Sequence, residues 1–447
     1  MNKSIIILTT KTAIQMDSDI KKIAKKYGNI KKKGDTIPVS GKIFDHREIE
    51  NLILASVEGW WTEGKWTALF EDKLKKFLGI RYVHACNSGS SANLLAFATL
   101  CSNSLGEERI KRGDEVITLA AAFPTTVNPI IQYGCVPVFV DIELPTYNID
   151  ILELDKSLSK KTKAVMIAHT LGNPFNIKAV KSFCKKNKLW LIEDNCDALG
   201  SKFGGKFTGT FGDISSLSFY PAHHITTAEG GAVLTNNPRL SKIIVSIRDW
   251  GRHCWCSTGK DNTCNNRYKW KLGNLPEGYD HKYIYGELGY NLKISDLHAA
   301  IGVAQIDKLS AFIKKRVENF AYLSKKMEKL KEYFILPKAT KDSEPSWFGF
   351  LVTIRDKKIN REELLRHLAE ERIGSRLLFS GNITLQPYFS NNRDIKYRKV
   401  GKLPNTNLVM KNTFWLGVFP GINNKMIDKM ALSISDFNNT FKLRNIK

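Results

Sequence analysis

The segment Gly113-Asp114-Glu115-Val116-Ile117-Thr118-Leu119 begins a regular alternation of short apolar runs and amphipathic segments. Residues 114–119 are typical of a buried strand, residues 126–133 of a helix and residues 136–141 of a second strand. The alternation continues downstream, in the segments 164–169, 177–188 and 189–194. Strands that alternate with helices predict an α/β fold of three layers, with a mainly parallel sheet between helices. In such folds ligands bind at the carboxyl ends of the strands.

The chain divides into three predicted regions. Residues 1–45 combine helical periodicity with many lysines and are predicted to form an N-terminal helical extension. Residues 46–309 form the large α/β domain, which carries a polar, aromatic and cysteine-bearing insert at 251–285. Residues 310–447 form a smaller C-terminal α+β domain.

The formal charge of +24 is high for a chain of 447 residues, 43% of which are hydrophobic. The lysines are spread in small groups, which favours a solvated surface or attraction of an anionic substrate or acidic partner over a nucleic-acid site. We therefore predict that the protein binds neither nucleic acid nor membranes. The only apolar run near the start, at residues 5–8, is too short for a signal peptide or a membrane span, so we expect a cytoplasmic protein.

A candidate anion site follows the predicted strand at residues 82–86. There the run Asn87-Ser88-Gly89-Ser90-Ser91-Ala92 opens a helix rich in alanine and leucine. Free backbone N–H groups, the helix dipole and serine hydroxyls meet at such a point and favour a phosphate. Simple capping of the helix by Ser88 or Ser90 is the structural alternative.

Three side chains fall at or just beyond other predicted strand ends: Phe123, His169 and Asp194. For Phe123 on its own, core packing is favoured over ring stacking. A functional role is favoured for Asp194, because an acid at the end of a buried strand needs a partner.

The stretch Ser218-Phe219-Tyr220-Pro221-Ala222-His223-His224-Ile225-Thr226-Thr227-Ala228-Glu229-Gly230-Gly231 completes a set of ordered motifs. The other members are 87–92, 113–117, 193–194, 209–213 and 289–291. Together they resemble the nucleotide-sugar aminotransferases, a family of fold-type-I pyridoxal phosphate enzymes, over residues 40 to the end. The resemblance implies a three-layer α/β/α fold and a pyridoxal or pyridoxamine phosphate cofactor.

The resemblance assigns roles to several side chains. The cofactor phosphate would lie against Gly89, Ser90 and Ser218. Phe123 would stack on the pyridine ring, and Asp194 would bind the ring nitrogen. Two further positions match family residues. Asp197 matches a residue near the ring hydroxyl, and Asn291 one that reaches the phosphate of the neighbouring subunit, which implies a homodimer.

His223 stands where aminotransferases of this family carry the lysine that forms a Schiff base. An imidazole cannot form that bond, and the histidine resembles that of the sugar 3-dehydratases that use pyridoxamine phosphate. His223 is therefore the candidate base, since a histidine can take up and return a proton near neutral pH. We expect its neighbour His224 to be structural.

Four of the eight cysteines form a spaced set. Cys196 precedes Cys254 with 57 residues between them, one residue separates Cys254 from Cys256, and seven separate Cys256 from Cys264. The arrangement is similar to that of the iron–sulfur members of the 3-dehydratase group and implies a [2Fe–2S] cluster. Thiolates suit iron and zinc equally, so a structural zinc site, or unrelated free thiols, remains open at this point. The other cysteines are expected to be buried as small apolar side chains.

The resemblance thus implies a dehydratase that removes the C3 hydroxyl of a nucleotide-diphosphate 4-keto-6-deoxyhexose. A separate flavin and iron–sulfur reductase that uses NAD(P)H would supply electrons. Three alternatives stay open: a GDP-sugar 3-dehydratase without a cluster, an aminotransferase, and a basic scaffold or nucleic-acid-binding protein.

Overall fold

The computed structural model describes residues 18–26, 36–256 and 258–444 of the chain. The strands are β1 Tyr82–Cys86, β2 Glu115–Leu119, β3 Val136–Val140, β4 Thr162–Ala168, β5 Trp190–Asp194, β6 Lys202–Phe203, β7 Lys206–Phe207, β8 Ile214–Ser218, β9 Gly231–Thr235, β10 Phe334–Ile335, β11 Ser343–Glu344, β12 Gly349–Ile354, β13 Ser375–Arg376, β14 Arg398–Lys399 and β15 Thr413–Gly417. The α-helices that follow residues 18–26, themselves helical, are α1 His46–Val57, α2 Lys65–Leu78, α3 Gly89–Cys101, α4 Pro124–Gln132, α5 Leu154–Ser157, α6 Ile177–Asn187, α7 Pro238–Arg248, α8 Asp296–Ile306, α9 Leu309–Met327, α10 Arg361–Glu370, α11 Pro387–Ser390, α12 Pro404–Asn412 and α13 Asn424–Arg444.

The large sheet contains eight strands in the order β1-β9-β8-β5-β4-β2-β3-β14. Neighbours from β8 to β14 pair in parallel, whereas β9 runs antiparallel to both β8 and β1. The prediction of a mainly parallel sheet is thus confirmed. The carboxyl ends of the parallel strands share one edge, which is where this fold class binds ligands.

Helices cover both faces of this sheet. Along β4, Ala164 and Met166 belong to one apolar cluster, whereas Val165 and Ile167 belong to another. Successive side chains of a strand point to opposite faces, so the two clusters are the cores on the two sides of the sheet. Strands buried on both faces explain why these segments are continuously apolar in the sequence.

The C-terminal part builds a second, antiparallel sheet in the order β10-β12-β15-β13. It packs with α9, α10 and α13 around a core of its own. Contacts with the large domain are close, because β14 extends the large sheet beside β3 and β11 pairs with β6. The domain boundary predicted at residue 310 stays a prediction.

The predicted N-terminal extension lies mostly outside the described residues. Within it, residues 18–26 are helical, and Ile20 and Ala24 are buried on one side of that helix. Among the described residues, no helix combines the length and the apolar character needed to cross a membrane.

Candidate active site

A cavity of about 500 Å3 opens at the carboxyl edge of the large sheet. Eight of the predicted site residues line it, namely Gly89, Ser90, Phe123, Asp194, Cys196, Asp197, Ser218 and His223. They come from four separate segments of sequence, which the fold brings together around one cavity. The remaining four, Asn291 and three cysteines, lie elsewhere.

The N-terminus of α3 forms one corner of the cavity. Ser88 caps this helix, since its Oγ accepts a hydrogen bond of 3.0 Å from the Ser91 backbone N–H, while Ser90 is exposed. A Cβ placed on Gly89 would lie 2.4 Å from the Cβ of Ser218, so only glycine lets the helix approach the end of β8 this closely. Backbone N–H groups and two serine hydroxyls therefore surround a corner that fits a phosphate.

Asp194, at the end of β5, is buried and held by several donors. Its Oδ2 accepts hydrogen bonds from Asn93 Nδ2 at 2.8 Å and Thr126 Oγ1 at 2.6 Å, and its Oδ1 accepts one from the Cys196 backbone N–H at 3.2 Å. Donors to a carboxylate favour its charged form and fix its direction. A carboxylate oriented in this way fits a protonated pyridine nitrogen. Asn93 and Thr126 were missed by the sequence analysis, although both lie on helices that start at strand ends.

Phe123 is not a core residue. Its side chain is 52% exposed, at the start of α4, and meets Phe379 edge-on with 6.2 Å between ring centroids. Core packing of Phe123 is therefore wrong. An aromatic face that borders the cavity is instead available for ring stacking.

His223 and Asp197 face each other across 3.4 Å, measured from Nδ1 to Oδ1. Despite this distance the two groups do not have the geometry of a hydrogen bond, and Nδ1 has no partner among the described residues. Burial lowers the pKa of His223 to about 4, against the opposing charge of Asp194. Burial and the charge of Asp194 raise the pKa of Asp197 to about 8. Near pH 7 both groups are therefore neutral, and the pair is not an ion pair.

Arg316 of α9 is a site residue that the sequence analysis missed. Its guanidinium is buried and donates to the His223 carbonyl at 3.1 Å and to the Trp347 carbonyl at 3.2 Å. Phe348 packs against the His223 ring with 5.2 Å between centroids and also lines the cavity. Arg316 thus fixes the backbone that carries the candidate base. Its position far along the chain offered no sequence signal.

The other two histidines singled out above have structural contacts. His224 is buried, and its Nε2 donates to the Ser346 carbonyl at 2.8 Å. His169 is buried with its Nε2 3.0 Å from Glu193 Oε2, and it stacks on Phe175. These contacts agree with the structural role expected of His224.

Asn291 lies outside the cavity of its own chain. Its side chain is exposed and accepts a hydrogen bond of 2.9 Å from Lys293 Nζ. The predicted contact with a neighbouring subunit stays a prediction.

The four spaced cysteines do not converge within one chain. Cys196 lines the cavity at the sheet edge, whereas Cys254, Cys256 and Cys264 line a separate small cavity in the insert. Burial raises the pKa of Cys196 well above its usual value. Although burial opposes it, hydrogen bonds from Thr263 and the neighbouring cysteines lower the pKa of Cys256 to about 7.

No group of three or more histidine, cysteine or acidic side chains is already arranged to hold a metal ion in the described part of the chain. One chain by itself therefore does not fit a four-thiolate cluster. Of the other cysteines, Cys86, Cys135 and Cys184 are buried as predicted, and Cys101 is half-buried.

Comparison with known proteins agrees with this architecture. The profile of the DegT/DnrJ/EryC1/StrS aminotransferase family matches residues 42–435. The chain is 52% identical to the lipopolysaccharide biosynthesis protein RfbH of Salmonella typhimurium over 402 residues, which cover 90% of this chain and 91% of that protein. It is 48% identical to a dTDP-4-dehydro-2,6-dideoxy-D-glucose 3-dehydratase of Saccharopolyspora spinosa, over 89% of this chain and 86% of that protein.

Among solved structures, Escherichia coli GDP-4-keto-6-deoxy-D-mannose-3-dehydratase with bound hydrated PLP superposes with a TM-score of 0.80 at 29% identity. The match covers 89% of this chain and 99% of that one. The match over most of the chain confirms the predicted fold class and the resemblance drawn from the motifs. The chain belongs to the DegT/DnrJ/EryC1/StrS aminotransferase family.

Proposed function

We propose that this protein is a pyridoxamine phosphate-dependent 3-dehydratase of a nucleotide-linked 4-keto-6-deoxyhexose. The observation that carries the proposal is the position of His223, which lines the same cavity as the phosphate-binding corner and lies 3.4 Å from Asp197. No lysine lines this cavity among the described residues. The cavity therefore lacks the lysine that repeated amino transfer through a lysine-bound cofactor requires.

The chain's own residues fit the cofactor. Gly89, Ser90 and Ser218 would hold its phosphate, and Asp194 would hold its ring nitrogen in the protonated form. The cofactor, when bound, supplies a primary amine that condenses with a sugar ketone and a ring that accepts electrons. Phe123 would lie on one face of the ring and orient it.

His223 would then act as the base that takes a proton from the C4′ carbon of the cofactor as the C3 hydroxyl departs. Its lowered pKa keeps the imidazole neutral, which is the form that can accept a proton. The carboxyl of Asp197, whose pKa is raised to about 8, lies 3.4 Å from Nδ1 and is not hydrogen-bonded to it. Arg316 keeps the loop in place while the proton moves.

The relatives support a nucleotide-sugar substrate. They carry names for dehydratases of dTDP- and GDP-linked sugars and for lipopolysaccharide biosynthesis. We propose a CDP-4-keto-6-deoxyhexose as the substrate, which would be converted on the way to a 3,6-dideoxyhexose of a surface polysaccharide. GDP-4-keto-6-deoxymannose is the alternative.

The proposal also includes a [2Fe–2S] cluster on Cys196, Cys254, Cys256 and Cys264, a separate NAD(P)H-dependent flavin and iron–sulfur reductase, and a homodimer in the cytoplasm. The cysteine spacing supports the cluster. No reaction step is assigned to it, because the four thiols do not meet within one chain.

The base is tested by His223→Asn in protein loaded with pyridoxamine phosphate. We expect the variant to keep the cofactor absorbance but to lose C3 dehydration by about 100-fold or more, as general-base loss commonly costs. Dehydration is followed by mass spectrometry with CDP-, dTDP- and GDP-linked 4-keto-6-deoxyhexoses. His46→Asn, at the start of α1 and outside the cavity, is the control. Full turnover in the His223 variant, or steady production of an amino sugar by the wild type, would contradict the proposal.

A further inference from the structure

The thiols of the proposed cluster are divided between two places that lie apart on the sheet. Cys196 follows β5, whereas Cys256 also lines a second, larger cavity together with His84 of β1. Cys254, Cys256 and Cys264 line a cavity that Cys196 does not share. In the described part of the chain no three histidine, cysteine or acidic side chains are arranged around one metal position. One chain therefore does not present four thiols to one small cluster.

Backbone pairing at the base of the insert restrains its cysteines from moving to Cys196 of the same chain. Asp249 pairs with Asn291 and Arg252 with Tyr285 as β-bridges. The His253 backbone N–H, directly before Cys254, donates to the Ile284 carbonyl at 2.8 Å. A Cβ on Gly251, whose φ is +81°, would lie 1.9 Å from the Glu287 carbonyl oxygen, so the two segments are tightly packed. Moving Cys254 to Cys196 would require this paired base to open.

Both places also expose large apolar side chains. On the paired segments at the base of the insert these are Trp250 at 41%, Trp255 at 55%, Tyr283 and Tyr285 at 55% each, and Leu288 at 88%. At the mouth of the cofactor cavity Tyr220 and Leu377 are 53% and 46% exposed. Groups of exposed apolar side chains mark sites of contact with another protein.

We propose that the insert of each chain covers the cofactor cavity of a second copy, so that Cys254, Cys256 and Cys264 of one chain and Cys196 of the other complete one four-thiolate site. The inference rests on the cluster in the proposed function and adds which chain supplies each ligand. A two-fold dimer makes the contact twice, because the same two surfaces occur on both chains. This dimer explains why neither cavity by itself contains all four thiol ligands. It also brings the two exposed apolar surfaces into contact with each other.

A competing arrangement lies within one chain. The Nδ1 of His281 is 3.8 Å from the Sγ of Cys264, and its Nε2 is 2.7 Å from His253 Nδ1. An imidazole held by a second group is a common way to orient a metal ligand. The three insert cysteines and His281 would then form a site without Cys196, and iron uptake by mixed dimers distinguishes the two arrangements.

The test uses mixed dimers of two variants, each with a different affinity tag, isolated by tandem purification and reconstituted anaerobically with iron and sulfide. One chain carries Cys196→Ser and the other Cys256→Ser. If ligands come from both chains, one of the two sites in the mixed dimer is intact, and it takes up half the iron of the wild type and shows half the visible cluster absorbance. Each variant alone takes up almost none.

The matched control pairs a wild-type chain with a chain that carries both substitutions. Here ligation across the interface predicts no intact site, whereas ligation within one chain predicts one. Iron in this control and none in the first mixture would overturn the proposal. So would a Cys196→Ser dimer that keeps full iron while His281→Ala loses it, or a wild type that is monomeric.

Pyridoxamine phosphate absorbance of each preparation shows that the large domain is folded. A wild-type dimer that binds the cofactor but takes up no iron overturns the cluster, and this inference with it, while the dehydratase assignment through His223 stands.

Discussion

The carboxyl of Asp197 and the imidazole of His223 lie side by side in the cavity and are mostly buried. Burial makes the charged form of both groups costly, so it raises the pKa of Asp197 and lowers the pKa of His223. The charge of Asp194 raises the pKa of Asp197 further. An acid and a base that would attract each other in water are thereby kept neutral. The site holds its histidine ready to accept a proton.

The raised pKa of Asp197 predicts a pH effect on the cofactor-free protein. The unfolded chain releases the Asp197 proton near 3.8, but the folded chain keeps it up to about pH 8. The folded state therefore binds more protons in this window, and the contribution of Asp197 to stability falls as pH rises. Asp197→Asn does not lose stability in this way. We therefore expect its free energy of unfolding, relative to that of the wild type, to increase by a few kcal/mol as the pH is raised from 5 to 8. Urea unfolding at both pH values measures the difference, with Asp155→Asn as an exposed control. An unchanged difference between the two pH values would show that Asp197 ionises normally.

At the scale of elements, the contact of α3 with β8 forms the phosphate-binding corner. Gly89→Ala would place a methyl group against Ser218, so we expect the helix start to shift and the affinity for pyridoxamine phosphate to fall by about 10-fold or more. Pyridoxamine, which lacks the phosphate, should bind the variant and the wild type almost equally. Fluorescence titration with both compounds measures this. An equal loss for both compounds would mean that the substitution damages the ring site instead.

The sequence was most informative about the order and the ends of the strands and helices. Asp194 ends a strand and Phe123 follows one, so alternation of apolar segments was enough to place these two along one edge. Ser218 was assigned to the cofactor phosphate by the family resemblance. Arg316 and Thr126 were not predictable, because their roles depend on contacts with residues that are distant in sequence. The sequence also could not predict that Cys196 and Cys254 lie in different cavities. The number of residues between two cysteines does not show whether backbone pairing at the base of the insert keeps them apart.

At the scale of the whole molecule, Asp141, which follows β3 of the large sheet, is bound by the start of α12 in the C-terminal part of the chain. Its carboxylate accepts hydrogen bonds from the Thr406 N–H at 2.8 Å, the Thr406 Oγ1 at 2.7 Å and the Asn405 N–H at 2.9 Å, at the start of α12. A carboxylate at a helix N-terminus is stabilising, and removal of a buried acceptor leaves donors unsatisfied.

We therefore expect Asp141→Ala to lower the free energy of unfolding by about 2–4 kcal/mol. It should also separate thermal unfolding into two transitions, while cofactor affinity changes little. Scanning calorimetry measures both effects, with Asp155→Ala as control. A single transition at the wild-type temperature would show that the domains are held together by other contacts.

The antiparallel strand β9 has a consequence for how the chemistry of this protein could be changed. Ser218 pairs with Gly231, and the Phe219 N–H donates to the Gly230 carbonyl at 2.8 Å, so the loop that carries His223 is closed at its base like a hairpin. Arg316 holds the same loop from the other side through a carbonyl, which every amino acid has. The scaffold thus constrains the path of the main chain at position 223 but not the identity of its side chain. The side chain at position 223 could therefore be exchanged to test a different reaction, while the main-chain contacts that hold the loop stay the same.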